Sequence, residues 1–288
     1  MKEMQKLTRR WNLRWLTIPM LAVTLVAGIS IGTRTLVSAN HPVLVEGEAD
    51  FDGDGRLGTA EDTDGDDRIF GTITAALGAA NGGANQNGRV TIVTSGRFHE
   101  QLIVSNANGN TTLEAAPGVE ATIDAVATGA RATQFTGSTN IVRQGQPGII
   151  INAPNNRYVT LRNLVVRNWL EGILVLNQTR VTLDNVRLEG NVNYGIHVTG
   201  DSKALISHSQ VSSTGFRVGA TGDFPNAQTP TPGSGIVFEG SSRGLVAHTT
   251  VSGNFRYGVA AFQHSFAEAR NVTAFDNDDN FYRVFRDR

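Results

Sequence analysis

The chain repeats a glycine followed by an aliphatic residue, at Gly172-Ile173, Gly195-Ile196, Gly235-Ile236 and Gly258-Val259. The steps between the four glycines are 23, 40 and 23 residues. A second column of polar residues comprises Asn163, Asn185, His208, His248 and Asn271, at steps of 22, 23, 40 and 23. Both columns are interrupted by the same 17 extra residues. A fixed period of this length is typical of a solenoid, whose coils bury their apolar faces by stacking on their neighbours.

The residues within each repeat alternate between apolar and polar with a period of two. Val159-Thr160-Leu161 and Val181-Thr182-Leu183 are examples. Such alternation is typical of strands and not of helices. We therefore predict an all-β fold, a parallel β-helix in which short strands are joined by turns.

The composition of the 288 residues agrees with this fold. Glycine is abundant, with 32 residues, and only 18% of the residues are charged, as in turn-rich β proteins. The net charge of −1 disfavours nucleic acid or an anionic membrane as partner. The absence of cysteine excludes disulfides, thiolate catalysis and thiolate zinc sites.

Residues 1–39 have the pattern of a signal peptide. A basic start is followed by an apolar run over residues 16–32 and by the small-residue cleavage pattern Val37-Ser38-Ala39. This predicts export, with the protein secreted, periplasmic or at the cell surface, and no other contact with a membrane. The alternative is an uncleaved anchor, because the apolar run approaches the length that spans a bilayer.

Residues 40–68 form an aspartate-rich segment that contains a candidate calcium site. Residues 50–61 match the pattern D-x-[DN]-x-[DN]-G-x5-E at every position, and they resemble the calcium loops of EF-hands and dockerins. The candidate ligands are Asp50, Asp52, Asp54, Arg56 (through its carbonyl) and Glu61. We predict a structural Ca²⁺ here, the alternative being a solvated acidic linker. Whether Asp62, Asp64 and Asp66 form a second ion site stays open.

The solenoid domain is predicted over residues 69–288. Ile73, Leu77 and Ala80 have helical spacing and predict a short amphipathic helix over residues 69–80. This helix, the strands of residues 90–104 and the segment 111–118 resemble the opening coils of the pectin-lyase-like superfamily. The resemblance extends over residues 69–275. It implies a right-handed parallel β-helix whose N-terminal end is covered by a short helix, and a polysaccharide as ligand.

The glycine column also assigns side chains to faces, because successive residues of a strand point to opposite sides. One outward column is Leu174, His197, Val237 and Ala260, and the next is Leu176, Thr199, Glu239 and Phe262. This surface is more apolar than a solvated sheet usually is. Either the C-terminal tail or the long loop covers it, or it is a docking surface. Self-association through this face or through the C-terminal end is a further expectation.

The 17 extra residues predict a long loop at about residues 216–233, and loops on a rigid scaffold often carry function. On this loop and the adjacent coils the candidate catalytic residues are Tyr194, His197 and Arg217. The candidate substrate-binding residues are Asp201, Lys203, Asp223, Glu239 and Tyr257. Tyr194 and Tyr257 each precede a column glycine, so they should share one edge of a sheet, where they could stack on sugar rings or cover the corners of the coils.

The sequence leaves the reaction open. Glu239 is the only acid that the predicted outward columns contain, which counts against an acidic calcium site of the pectate-lyase kind. Glycoside hydrolysis uses two carboxylates, and the coils between Val159 and Phe275 contain no paired aspartates. The Asn/His column is expected to be structural, with stacked side chains that satisfy the turns. We therefore expect an exported β-helix that binds or acts on extracellular polysaccharide, with lyase-type activity as the reaction to test. The alternative is a non-catalytic surface protein for adhesion or assembly.

Overall fold

The computed structural model describes residues 43–45, 69–70, 72–81, 88–105, 109–125, 146–215 and 233–286. Within these ranges the chain forms helix α1 (Ile73–Asn81) and strands β1 to β24, which build three sheets with parallel pairing. Among the helical residues described, none belongs to a helix long and apolar enough to cross a membrane.

The strands recur in the order sheet A, sheet B, sheet C. Sheet A contains, in spatial order, β2 (Ile69–Phe70), β1 (Val43–Val45), β3 (Gly88–Ile92), β6 (Thr111–Ala115), β9 (Tyr158–Arg162), β12 (Arg180–Asp184), β15 (Lys203–Ser207), β18 (Arg243–Ala247), β21 (Phe266–Arg270) and β24 (Phe285–Arg286). Sheet B contains β4 (Gly96–Phe98), β7 (Ala121–Asp124), β10 (Leu164–Arg167), β13 (Arg187–Glu189), β16 (Gln210–Ser212), β19 (Thr250–Ser252) and β22 (Thr273–Phe275). Sheet C contains β5 (Leu102–Val104), β8 (Pro147–Ile151), β11 (Glu171–Val175), β14 (Tyr194–Val198), β17 (Ser234–Phe238), β20 (Tyr257–Ala261) and β23 (Asp279–Tyr282). One strand from each sheet makes one coil, which confirms the predicted parallel β-helix.

The interior is filled by aliphatic side chains that stack from coil to coil. In sheet C the column Ile173, Ile196, Ile236 and Val259 is in register and fully buried. These residues belong to one continuous apolar cluster. Because each coil covers the next, the apolar area of a coil is removed from water only when its neighbours are in place.

The glycine column marks the closest approach between coils. A Cβ built on Gly172, Gly195 or Gly235 would lie 2.6, 2.6 and 2.7 Å from the carbonyl oxygen of the equivalent glycine in the following coil. Real Cβ atoms do not approach backbone oxygen so closely. The sequence repeat that predicts the fold is therefore a requirement of packing at the start of each strand in sheet C.

The Asn/His column forms the corner between sheets A and B. Asn163, Asn185, His208, His248 and Asn271 all have left-handed backbone, with φ between 48° and 57°, a conformation in which asparagine and histidine are enriched. The Asn185 side-chain amide donates to Asn163 Oδ1 at 2.9 Å. The rings of His208 and His248 stack with centroids 5.3 Å apart. These contacts agree with a structural role for the column.

Trp169 fills the turn between β10 and β11. Its side chain is fully buried, and its indole N–H donates to the carbonyl of Ile123 in the preceding coil at 3.0 Å. A Cβ on Gly148 would lie 2.6 Å from the indole ring, so the glycine leaves space for it. Trp169 thus joins the coil of β7 and β8 to the coil that follows.

The N-terminal cap differs from the prediction in two respects. Helix α1 begins at Ile73, because Ile69–Phe70 is strand β2 and pairs with β1. Strand β1 comes from the aspartate-rich segment and lies between β2 and β3 in sheet A. The helix packs its apolar face on the core, and Glu100 accepts the N–H groups of Ile73 and Thr74 at 2.8 and 2.9 Å.

Several predicted features lie outside the described residues. These are the signal peptide, the calcium ligands, the second aspartate cluster and residues 216–232 of the long loop. The loop lies in the chain between β16 and β17, as the repeat predicts. Residues 126–145 stand between β7 and β8, so both segments connect a strand of sheet B to a strand of sheet C.

Candidate functional site

The outer face of sheet C carries the candidate site. Leu174 pairs with His197, His197 with Val237, and Val237 with Ala260, so the predicted column is aligned across four coils. Val237 and Ala260 are fully buried although they do not belong to the interior cluster. His197 is therefore a polar group on a largely apolar face.

His197 lies between two carboxylates. Its Nδ1 is 3.3 Å from Glu171 Oε2, and its Nε2 is 3.3 Å from Glu239 Oε2. The side chains of His197, Glu171 and Glu239 retain only 13, 12 and 18% of their exposed area. Glu171 opens β11, His197 lies within β14 and Glu239 follows β17. The trio, as we call these three residues, thus draws one residue from each of three consecutive coils.

The charge of the trio follows from its contacts. Burial disfavours the charged imidazolium, but the hydrogen bonds and charges of Glu171 and Glu239 outweigh it and raise the pKa of His197 to about 9. His197 is therefore protonated at neutral pH, and both ring nitrogens donate. It can act there as a cation or an acid. The neutral imidazole that a histidine base requires is therefore the minor form at neutral pH.

Tyr194 supports His197 from one side. Its side chain is only 1% exposed, and its ring centroid lies 4.6 Å from that of His197. Tyr194 aligns with Glu171 and with Ser234, and Tyr257 opens β20 at the same edge of sheet C. The two tyrosines therefore share an edge, as predicted. Because Tyr194 is buried against His197, it does not offer its ring face to a ligand.

Three aromatic rings lie next to the trio on the same face. Tyr257, Phe262 and Tyr282 have ring centroids between 5.0 and 5.7 Å apart. Arg256 lies over the ring of Tyr257 and Arg283 over the ring of Tyr282. We call these three rings the aromatic cluster. The pairing of Phe238 with Ala261 continues to Glu239 and Phe262, so the cluster adjoins the trio.

Two other predicted site residues, Asp201 and Lys203, lie away from this face. Asp201 lies in the exposed turn after β14, with a φ of 59°. Lys203 opens β15 and is exposed on sheet A. Arg217 and Asp223 lie outside the described residues. Among the residues that the structure describes, no group of three histidine or acidic side chains is placed to hold a metal ion.

Sequence reasoning missed Glu171, the second carboxylate of the site. The signal was present, because Glu171 precedes Gly172 just as Tyr194 precedes Gly195. Strict alternation from Ile173 would turn residue 171 inward. Instead, a Cβ on Gly172 would contact Leu188 and Asn191, so two successive positions face the interior and Glu171 faces out.

Comparison with known proteins agrees with this architecture. The family described as "Right handed beta helix region" matches residues 147–283. With the three parallel sheets, this makes the protein a right-handed parallel β-helix. No curated protein matches the sequence.

Two solved structures are similar to the chain at low identity. One is a pectin methylesterase mutant in complex with a hexasaccharide, at 11% identity and a TM-score of 0.37, covering 86% of this chain and 90% of that one. The other is a pectate lyase, at 10% identity and a TM-score of 0.36, covering 74% of this chain and 72% of that one. Likeness at this distance does not extend to activity.

Proposed function

We propose that the protein binds and acts on an extracellular polysaccharide at the outer face of sheet C. The observation that carries the proposal is the trio, in which two carboxylates hold one protonated imidazole beside the aromatic cluster. Perturbed titratable groups on a concave or sheltered face are typical of functional sites. The extracellular setting rests on the signal pattern of residues 1–39.

The aromatic cluster supports a saccharide as ligand. Tyr257, Phe262 and Tyr282 are partly exposed, and flat aromatic surfaces pack against the apolar faces of sugar rings. Arg256 and Arg283 beside them can donate hydrogen bonds to hydroxyl or carboxylate oxygens. Glu239 aligns next to Phe262. When one sugar unit of the polymer packs on the aromatic cluster, the next sugar unit therefore lies within reach of the trio.

A lyase-type elimination is the reaction that we propose. A carboxylate of the trio takes the C5 proton of a uronate, the C4–O bond breaks as the C4–C5 double bond forms, and the leaving oxygen takes a proton from His197. The imidazolium also offsets negative charge that develops on the uronate group. The carboxylic acid then passes the C5 proton to the neutral His197. This returns the carboxylate and the imidazolium to their starting protonation states.

Glycoside hydrolysis is the second candidate, and a specific observation favours it. Glu171 and Glu239 bond to opposite nitrogens of one imidazole ring. The site thus holds two carboxylates, the kind of pair that glycosidases use.

The test is an assay of the purified protein and its Glu171→Gln, Glu239→Gln and His197→Gln variants on uronic-acid and neutral polysaccharides. Ultraviolet absorbance of unsaturated uronate reports elimination, and new reducing ends without that absorbance report hydrolysis. We expect each variant to lose activity by on the order of 10²-fold. Glu189→Gln, on the outer face of sheet B, is the matched control and should retain it.

The assay also decides the non-catalytic alternative. If the wild-type protein forms no product from any polymer but still binds one, and Tyr257→Ala weakens that binding, the protein is a surface or adhesion β-helix. Absence of both product and binding would contradict the proposed function altogether.

We further propose that residues 50–61 bind one Ca²⁺ that fastens the N-terminal segment. The full match of the loop pattern supports this. Calcium should raise the melting temperature by mass action, and a chelator should reverse the increase. The double variant Asp52→Asn/Asp54→Asn should abolish both effects, whereas Asp201→Asn should not. Calorimetry that finds no calcium binding would contradict the site.

A further inference from the structure

Three cations form a column on the outer face of sheet A. Arg180 pairs with Lys203, and Lys203 pairs with Arg243. They come from β12, β15 and β18, so each of three consecutive coils contributes one positive charge. Neighbouring strands lie about 4.8 Å apart, which makes the column a straight row of charges about 10 Å long. We call it the cation column.

The cation column is not neutralised by carboxylates. Among the described residues, the ion pairs include Arg162 with Asp184 and Arg270 with Glu268 on the same sheet, but none of them involves a member of the column. Arg180 donates instead to Asn156 Oδ1 at 3.3 Å and to the Tyr158 hydroxyl at 2.5 Å. Lys203 and Arg243 are exposed. The charges of Lys203 and Arg243 are therefore open to a ligand, and Arg180, which also lies over the Tyr158 ring, is partly exposed.

Aromatic side chains stand at both ends of the cation column. Tyr158 pairs with Arg180, and Phe266 pairs with Arg243. The two side chains are 51 and 41% exposed. One row thus presents aromatic, cation, cation, cation, aromatic at the spacing of the strands.

We propose that the cation column is a binding site for a strand of acidic polysaccharide, distinct from the trio on sheet C. A linear polymer with one carboxylate or sulfate on each sugar presents charges in single file at a spacing close to that of the coils. The guanidinium groups can bind carboxylates in a bidentate manner. Arg180 covers one face of the Tyr158 ring, and Phe266 stacks on Phe285, so these rings border the row and leave their outer sides to a sugar. The proposal takes the ligand class from the proposed function but does not depend on catalysis.

The charge of the whole protein makes the binding of any polyanion depend on the column. A net charge of −1 provides no general attraction, so binding depends on a local match of three charges. Nucleic acid binding typically draws on more phosphate contacts than three cations supply.

The experiment measures binding of the purified protein to polygalacturonate, with the methyl-esterified polymer as its uncharged counterpart. We expect the triple variant R180Q/K203Q/R243Q to bind polygalacturonate about tenfold or more weakly, and the salt dependence of binding to become shallower. The control variant R97Q/R162Q/R187Q removes three arginines from other rows and should bind like the wild type. Circular dichroism and the melting temperature verify that both variants are folded.

Three outcomes would overturn the inference. The first is that the control variant loses as much affinity for polygalacturonate as the triple variant. The second is that the folded triple variant binds polygalacturonate as tightly as the wild type. The third is that the wild type binds anionic phospholipid vesicles or single-stranded DNA and not polygalacturonate. Cleavage of polysaccharide at the trio is measured separately from binding at the cation column. Loss of polygalacturonate binding in the triple variant is measured independently of cleavage at the trio, so the column can be confirmed even when no polysaccharide is cleaved.

Discussion

Gly195→Ala is expected to lower the free energy of unfolding by on the order of 3 kcal/mol, the upper part of the range for overpacked interiors. The new Cβ would lie 2.4 Å from Val211 Cγ1 and 2.6 Å from the carbonyl oxygen of Gly235. The valine can rotate only within a packed interior, and the carbonyl belongs to the backbone of the next coil. Neither neighbour can withdraw without separating two coils.

The midpoint of urea unfolding measures this effect. Gly96→Ala is the matched control, because it makes the same change at the start of a strand in sheet B where no atom lies within 4 Å of the new Cβ. It should shift the midpoint little. Equal midpoints for the two variants would show that the glycine column is not required for stacking.

The free energy of unfolding is also expected to fall as pH rises from about 6.5 to about 9, by on the order of 3 kcal/mol. The pKa of His197 is raised to about 9 in the folded protein, above the value of about 6.5 for the unfolded chain. Below pH 6.5 the ring is protonated in both states and the stabilisation is complete. Above that pH the unfolded chain releases its proton first, so the stabilisation is lost progressively up to the folded pKa.

Unfolding curves at several pH values test this expectation. His197→Gln should remove most of the pH dependence, whereas His264→Gln, at an exposed turn position after β20, should leave it unchanged. A wild-type stability that stays constant between pH 6.5 and 9 would mean that the carboxylates do not hold the proton on His197.

Much of the fold could be predicted because the repeat has a direct physical cause. The glycines are fixed by the contact of Gly195 with Gly235 across coils, and the Asn/His column by its left-handed backbone. Both constraints act at every coil, so they appear in the sequence as a period. The N-terminal cap occurs once and has no period. In the cap, Ile69–Phe70 is a strand because it pairs with β1. The helical spacing of the neighbouring apolar residues does not indicate this pairing.

The site could be predicted only in part, for a related reason. His197 and Glu239 were found because they lie in outward columns that simple alternation defines. Glu171 was missed because Gly172 and Ile173 both face the interior. These two successive inward positions shift the in-and-out alternation by one residue, so that Glu171 faces outward. The elevated pKa of His197 depends on side chains from coils that are distant in the chain, and a motif search along one strand does not find such a contact.

The burial of Trp169 gives this protein a built-in reporter of where its unfolding begins. Trp11 and Trp15 lie in the predicted signal peptide, so a chain that starts at Asn40 has Trp169 as its one tryptophan. Solenoids can lose coils from one end without losing the rest. The indole emission reports the coils around β7 to β11, while the tyrosines at 257 and 282 lie toward the other end of the stack. A red shift of tryptophan that precedes or follows the change in tyrosine signal would therefore show from which end the protein unravels.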